Sequence, residues 1–285
     1  MRVEIRDARL EDAGAISDLF RSRISVWQRL DAEGYVEDVT YDALTLYERW
    51  LHGGAWMAVE TGAVALNHFL LGGGVALVGV VDGQAMAYLE AYPGHEQEPF
   101  GAHLHVANLV VHADAMGTGV EEFLLAQLTE RAKTLKVTQL TVTHLGQNPE
   151  YAALHPFVDM KTLIAQRRFT LSARTGQVFY RAVDHPNADP AQIAGMTMPV
   201  GRYGSARQMW ETVWPRTWNT IPEIRARKTH RLRFSGAGQD AFICCQQQLY
   251  DPRGADVYCW ATKSLSPQLV TSVRDWAHRE GYRTL

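Results

Sequence analysis

The chain has 285 residues, 46% of them hydrophobic and 21% charged, a composition that suits a globular protein with one large domain or two modest ones. Its formal net charge of -3, with both signs mixed along the sequence, provides no broad electrostatic footprint for a nucleic acid or an anionic membrane. A small molecule or another protein is left as the partner class.

Cys244, Cys245 and Cys259 have no metal-type spacing and read as reduced, buried thiols, so no metal site is expected. The N-terminus MRVEIRDARLED is charged throughout and lacks the apolar core of a signal peptide. The most apolar stretch, 62–81, is interrupted by glycines, Asn67 and His68, so neither a membrane span nor a membrane partner is expected. These features together predict a cytoplasmic protein.

Residues 3–8 alternate apolar and charged side chains as a half-buried strand does, and Glu11-Asp12 opens a helical pattern at Ala15, Ile16, Leu19 and Phe20. Helices are predicted next over 41–51 and 56–70, the second stopped by Gly72-Gly73-Gly74. Residues 75–92 predict a hairpin around Asp82-Gly83, which supplies the positive φ angles of a tight turn. A strand over 103–111 follows. The turn Gly117-Thr118-Gly119 then leads into a helix with Val120, Phe123, Leu124 and Leu128 on one face, and 140–143 reads as a strand. A helix is predicted over 149–163. Residues 169–172 and 177–183 are expected to pair around Arg174-Thr175-Gly176.

The stretch HPNADPAQ, residues 185–192, carries two prolines and short polar side chains, and predicts a protease-sensitive linker between domains at 1–185 and 191–285. Beyond it come a strand (193–200), a helix (205–218), three strands (231–235, 241–249, 256–262) and a helix (267–280), a reduced echo of the first part. Trp210, Trp214 and Trp218 fall at four-residue spacing and read as packing. The end at Arg283-Thr284-Leu285 suggests a strand cut short, leaving an open sheet edge that would prevent the second part from folding alone.

The element order, with a glycine turn between the fourth strand and the following helix, resembles the GNAT superfamily of N-acetyltransferases over residues 3–183. The resemblance implies an α/β (α+β) fold, a mixed and mostly antiparallel sheet flanked by helices. It also implies a smaller, partial GNAT-like second domain, as in tandem members of the superfamily.

In that family an Arg/Gln-x-x-Gly-x-Gly/Ala turn holds the pyrophosphate of acetyl-CoA through backbone amides at a helix N-terminus. Here the motif falls on Met116-Gly117-Thr118-Gly119-Val120-Glu121. Gly117 and Gly119 match. Met116 stands where the family has Arg or Gln, and Glu121 places a carboxylate in the first helical turn, where it competes with a phosphate.

The resemblance further implies that Leu109, Val110 and Val111 pair with the pantetheine arm of acetyl-CoA, the acyl donor, in a gap opening toward the next strand. The reaction implied is direct acyl transfer to a small-molecule amine. Such a transfer needs a general base, for which His105, Glu90 and His144 are candidates, and an acid, for which family members use a tyrosine in a segment that begins with Asn. Here that segment begins at Asn148, and Tyr151 or His155 is the candidate. In the second half the corresponding turn, Lys263 to Gln268, contains no glycine, so this half is expected to be structural, completing an acceptor cleft or a homodimer interface. The alternative reading is a non-catalytic GNAT-like pseudoenzyme that binds a metabolite or a protein.

Overall fold

The structure, a computed structural model, describes residues 2–143 and 159–285. It divides into two compact units, residues 1–93 with 103–161, and residues 94–102 with 162–285.

The first unit runs β1 (Val3–Asp7), α1 (Ala13–Arg21), a small hairpin of β2 (Trp27–Leu30) and β3 (Val36–Val39), α2 (Leu46–Leu51) and α3 (Val59–Leu71). It continues with β4 (Val75–Val81), β5 (Gln84–His95), β6 (Ala102–Val111), α4 (Val120–Thr134) and β7 (Gln139–Val142). The main sheet has the order β1-β4-β5-β6-β7. β4 is antiparallel to β1 and β5, and β6 is parallel to β7. Asp82 and Gly83 take positive φ at the predicted hairpin turn.

One face of this sheet packs Leu77, Leu89, Leu104 and Leu109 against Val120, Leu124 and Leu128 of α4. The other packs Val78, Tyr88 and Val110 against Ile16 and Leu19 of α1 and Leu66 and Phe69 of α3. Phe123, expected on the buried face of α4, is 52% exposed. At 100° per residue it falls outside the stripe through Val120, Leu124, Leu128 and Ala132. The β2–β3 hairpin was not anticipated, and residues 41–51 contain a 3-10 turn (Tyr41–Ala43) before the shorter helix α2.

The second unit contains β8 (Tyr180–Asp184), β9 (Thr197–Val200), α5 (Ala206–Val213), α6 (Pro222–Ala226), β10 (Thr229–Gly236), β11 (Gln239–Gln247), β12 (Ala255–Ala261) and α7 (Pro267–Arg279). Its sheet order is β8-β10-β11-β12-β9, with every pairing antiparallel. α7 covers one face through Leu269, Val273 and Trp276, and α5 the other through Met209, Trp210 and Val213. Trp210 and Trp214 stack at 4.0 Å inside this core, whereas Trp218 lies in a separate 3-10 turn. The three cysteines are buried and free.

Several expectations about this half are corrected. Residues 177–183 do not pair with 169–172: β8 joins β10, and Leu171 and Ala173 donate their amides to Leu285 and Arg283. The chain end therefore has a partner where an open edge was expected. Residues 159–163 are irregular rather than helical.

The stretch 185–192 lies within the second unit. The indole N–H groups of Trp214 and Trp210 donate to the carbonyls of His185 (3.2 Å) and Ala188 (2.8 Å), and Pro190–Ile193 forms a 3-10 turn. Two prolines mark a bend tied down by tryptophan donors from α5 and the residue that ends it, a tertiary fact that composition does not carry.

The connection between β5 and β6 also belongs to the second unit. There the Glu96 carboxylate, almost fully buried, forms a bidentate pair with Arg202 at 2.5 and 2.8 Å and accepts the Ala206 amide at the start of α5 (2.9 Å). The Phe100 ring lies 3.9 Å from the Arg202 guanidinium.

Candidate active site

After β6 the chain makes a 3-10 turn (Ala113–Ala115) and reaches α4 through Met116, Gly117, Thr118 and Gly119. Thr118 folds back, its amide and its hydroxyl both donating to the Ala115 carbonyl at 3.2 and 2.7 Å. Gly117 (φ 75°) and Gly119 (φ 81°) hold left-handed conformations that side-chain-bearing residues rarely adopt. Gly119 is the N-cap residue of α4 and provides no side-chain cap.

A Cβ on either glycine would meet no atom within 4 Å, so the space in front of the helix is open. Among the described residues, the amides of Gly117, Gly119, Val120 and Glu121 have no hydrogen-bond acceptor. Unsatisfied amides at the positive end of a 15-residue helix attract an anion. The helix is held close to the sheet by Gly79 of β4, where a Cβ would come within 2.7 Å of the Val120 side chain.

Glu121 is 8% exposed and lies on the buried stripe of α4, while Met116 is 52% exposed. The missing cation of the turn comes from elsewhere. Arg23, just past α1, directs its guanidinium at the Val111 carbonyl (3.4 Å) and the Met116 sulfur (3.6 Å). No spacing in the sequence pointed to Arg23, since it is 93 residues from the turn.

β6 pairs with β7 only from His103 to Val106, and β7 ends at Val142. Leu104 and Val106 face α4, and so do Leu109 and Val111, although strict alternation would place 109 and 111 on the opposite face. One extra residue at Ala107-Asn108 therefore breaks the phase, as in a β-bulge. The spacing of apolar residues in LHVANLVV carries this slip, which the strand prediction passed over. Beyond Val106 the side of β6 away from β5 has no strand beside it among the described residues, and this stretch contains Leu109, Val110 and Val111.

Glu90 of β5 is buried next to that opening. It accepts from Asn108 Nδ2 (3.2 Å) at the bulge and from the Tyr88 hydroxyl (3.3 Å), with Tyr92 and Trp56 as further hydrogen-bond partners. Burial raises the Glu90 pKa above the usual carboxylate range, and the four hydrogen bonds oppose that rise in part. Burial and the neighbouring Glu90 charge push the Tyr88 hydroxyl well above its ordinary value. Tyr88 and Tyr92 flank Glu90 two residues away on β5, whereas Trp56 and Asn108 come from other elements that no pattern in the sequence connects to it.

His105 sits where β6 and β7 are still paired, directly across from Thr141, with Nδ1 3.0 Å from Thr141 Oγ1. It is 4% exposed. His144, Asn148, Tyr151 and His155 lie outside the described residues.

The second unit repeats this arrangement with the openings filled. β9 pairs with the last residues of β12, Cys259 and Ala261. The N-terminus of α7 is capped by Ser266, whose hydroxyl accepts the Leu269 amide (3.2 Å). Beside it, Gln239 accepts the Ser266 amide (3.0 Å) and donates to the Ser264 carbonyl (2.9 Å).

No family model matches the chain, and no curated protein matches it. Solved structures do. It is similar to a ribosomal-protein-alanine N-acetyltransferase from Brucella melitensis, at 18% identity over 59% of this chain and 100% of the other, with a TM-score of 0.40. An aminoglycoside 6'-N-acetyltransferase from Acinetobacter haemolyticus matches at 16% identity over 58% of this chain and 96% of that one, with a TM-score of 0.39. A protein from Clostridium acetobutylicum, assigned as an acetyltransferase and solved with acetyl-CoA, matches at 12% identity over 59% and 96% of the two chains, with a TM-score of 0.40. At such identities and scores the residues of this chain have to carry any functional conclusion themselves. Among the described residues, no helix is long and apolar enough to cross a membrane.

Proposed function

We propose that the first unit is an acetyl-CoA-dependent N-acetyltransferase that acts on a small amine, and that the second unit is structural. The observation that carries this reading is the uncapped N-terminus of α4, with Gly117 and Gly119 left-handed and open, at the end of a strand that among the described residues has no strand beside its outer side from Ala107 to Val111.

A pyrophosphate fits the amides of Gly117, Gly119 and Val120, with Arg23 supplying charge that Met116 does not. An extended pantetheine arm fits beside Leu109, Val110 and Val111 as an added strand would, next to the Arg23 guanidinium at the Val111 carbonyl. The donor supplies an activated acetyl thioester.

Glu90 is the base this geometry favours over His105. Its carboxylate adjoins the bulge where the strands part, and burial, which raises its pKa, makes it a stronger base than an ordinary carboxylate, reached through one water because the group is buried. His105 is held between paired strands and positions the closed end of the opening. One proton leaves the ammonium for Glu90, the amine nitrogen bonds to the acetyl carbon, the carbon–sulfur bond breaks, and the second proton lost by that nitrogen passes to the departing sulfur to give the thiol.

Thiol release from acetyl-CoA, followed across a panel of small primary amines, tests the reading. Amine-dependent release that is lost in Glu90→Gln is expected. Release that no amine stimulates, by a protein that still binds the donor, would favour a binding protein instead.

A further inference from the structure

The second unit has an open cavity of about 360 Å³ lined by Arg216, Arg225, Arg227, Lys228 and Arg231, with Asn219 and Thr229 beside them and no carboxylate in its wall. Its floor is Arg231 of β10, only 7% exposed. Leu232 and Phe234 face α7, and Arg231 pairs across with Cys244, which belongs to the core under α5, so its side chain enters the sheet's other face.

There one guanidinium nitrogen donates to the Pro215 carbonyl (3.1 Å), and Nε has no hydrogen-bond partner. A guanidinium taken from water without a counter-charge is costly, and proteins ordinarily pair it. Burial accordingly pulls the Arg231 pKa below its ordinary value, with Arg216 adding repulsion. Asp184, which is exposed, approaches Arg216 at 3.8 Å, and no ion pair to Arg231 is formed among the described residues. Arg227 is engaged with the Gln247 carbonyl at 3.1 and 2.6 Å. His230, the residue before Arg231, also lines the cavity, but its ring packs against Trp276 and Tyr282 on the opposite face of the sheet.

We propose that this cavity is a binding site for a small phosphorylated molecule, whose phosphoryl oxygens supply the counter-charge that Arg231 lacks. Five cations without an acid in the wall match a ligand of two or more negative charges. The planar forks of Arg216, Arg225 and Arg231 suit phosphoryl oxygens better than a single carboxylate. The volume admits a phosphate ester or a diphosphate, within the usual range for small-ligand sites. An extended nucleic acid is disfavoured by the overall charge of -3. The site is separate from the acetyl-transfer reading and does not rest on it.

The full chain is titrated calorimetrically with inorganic pyrophosphate at low salt, alongside Arg216→Gln, Arg225→Gln and, because the α4 turn also attracts phosphates, Gly119→Val. Binding that weakens about tenfold in each arginine variant, persists in Gly119→Val and falls as salt is raised is the expected result. Arg216 and Arg225 lie on the wall rather than in the core, so both variants should melt as the parent does. Arg231→Met, which removes the buried charge, should bind no pyrophosphate and melt no lower than the ligand-free parent. Pyrophosphate binding that is absent, or that disappears only in Gly119→Val, overturns the proposal. A single-stranded RNA that binds more tightly than pyrophosphate, and weakens in the same arginine variants, also overturns it in favour of a nucleic-acid surface.

Discussion

The strand–turn–helix β6–α4 in one unit and its counterpart β12–α7 in the other start from the same plan and end with opposite surfaces. Both strands are followed by a helix that packs back on its sheet, and both have a parallel neighbour at their beginning: β7 beside β6, and the single bridge between Gly254 and Thr284 beside β12. In the first unit the strand slips phase at Ala107-Asn108, its far end has no neighbour among the described residues, and the helix begins with bare amides. In the second, β12 keeps its alternation, β9 covers the far end, Ser266 caps the helix start, and Gln239 accepts the Ser266 amide. Open backbone at a strand edge and a helix N-terminus carries unsatisfied groups, and a chain keeps such groups open where a ligand completes them. In the second unit the corresponding strand edge is covered by β9 and the helix start is capped by Ser266.

The largest expected effect is on the chemistry of the open copy. Glu90→Gln should lower the acetyl-transfer rate by about 10²–10⁴-fold while leaving donor affinity near that of the parent. Because the folded-state pKa of Glu90 lies above its unfolded value, the folded protein holds that proton more tightly. Parent stability should then fall as pH rises from the ordinary value of 4.5 through the raised one. Glu90→Gln removes that loss, so the variant should be at least as stable as the parent at neutral pH and gain nothing at acid pH. Melting curves across pH check the sign, and a variant less stable at neutral pH would show that the carboxylate is structural.

Next in size is the buried pair that the closed copy relies on. Glu96→Gln leaves Arg202 buried without its counter-charge and weakens the cap on α5. A loss of about 3–5 kcal/mol is expected in urea unfolding followed by tryptophan fluorescence. A loss below about 1 kcal/mol would mean that the pair behaves as a surface salt bridge does.

Exchanging the caps sharpens the contrast. Ser266→Ala should destabilise the protein by about 1 kcal/mol through α7. Gly119→Asn, with a residue that tolerates left-handed backbone and caps helices, should leave the melting temperature equal or higher while weakening donor binding about tenfold. Equal donor binding in Gly119→Asn would mean that the α4 amides do not hold the phosphates. The smallest effect is expected at Glu121, whose charge stays in the first turn of α4. Glu121→Gln should tighten donor binding by a few-fold, a gain that salt screens away.

Much of the first unit could be read from the sequence because its signals are local. Asp82-Gly83 sets the hairpin, β-rich apolar runs on either side of it mark β4 and β5, and two glycines mark the turn before α4. The second sheet was legible for the same reason as far as its strands and the helix after Ser266. The parts that were missed are tertiary. Residues 185–192 have linker composition, and only the Trp210 and Trp214 donors make them part of a unit. Residues 171–173 find their partner more than a hundred positions away at the chain end. In the site, Glu90 was visible as a carboxylate on a strand, but its partners Trp56 and Asn108 converge on it only through the fold. Arg23 reaches a turn that no local pattern connects to it.

The central claim is that the open α4 turn binds the phosphates of the donor and that the closed α7 turn does not. Calorimetric titration of the full chain with acetyl-CoA, beside Gly119→Val and Ser266→Ala, tests it most directly. The account predicts one donor per chain, loss of binding by at least about tenfold in Gly119→Val, where a β-branched side chain is forced into left-handed backbone, and unchanged binding in Ser266→Ala. A parent protein that takes up no heat with millimolar acetyl-CoA, or binding that survives in Gly119→Val, would contradict it.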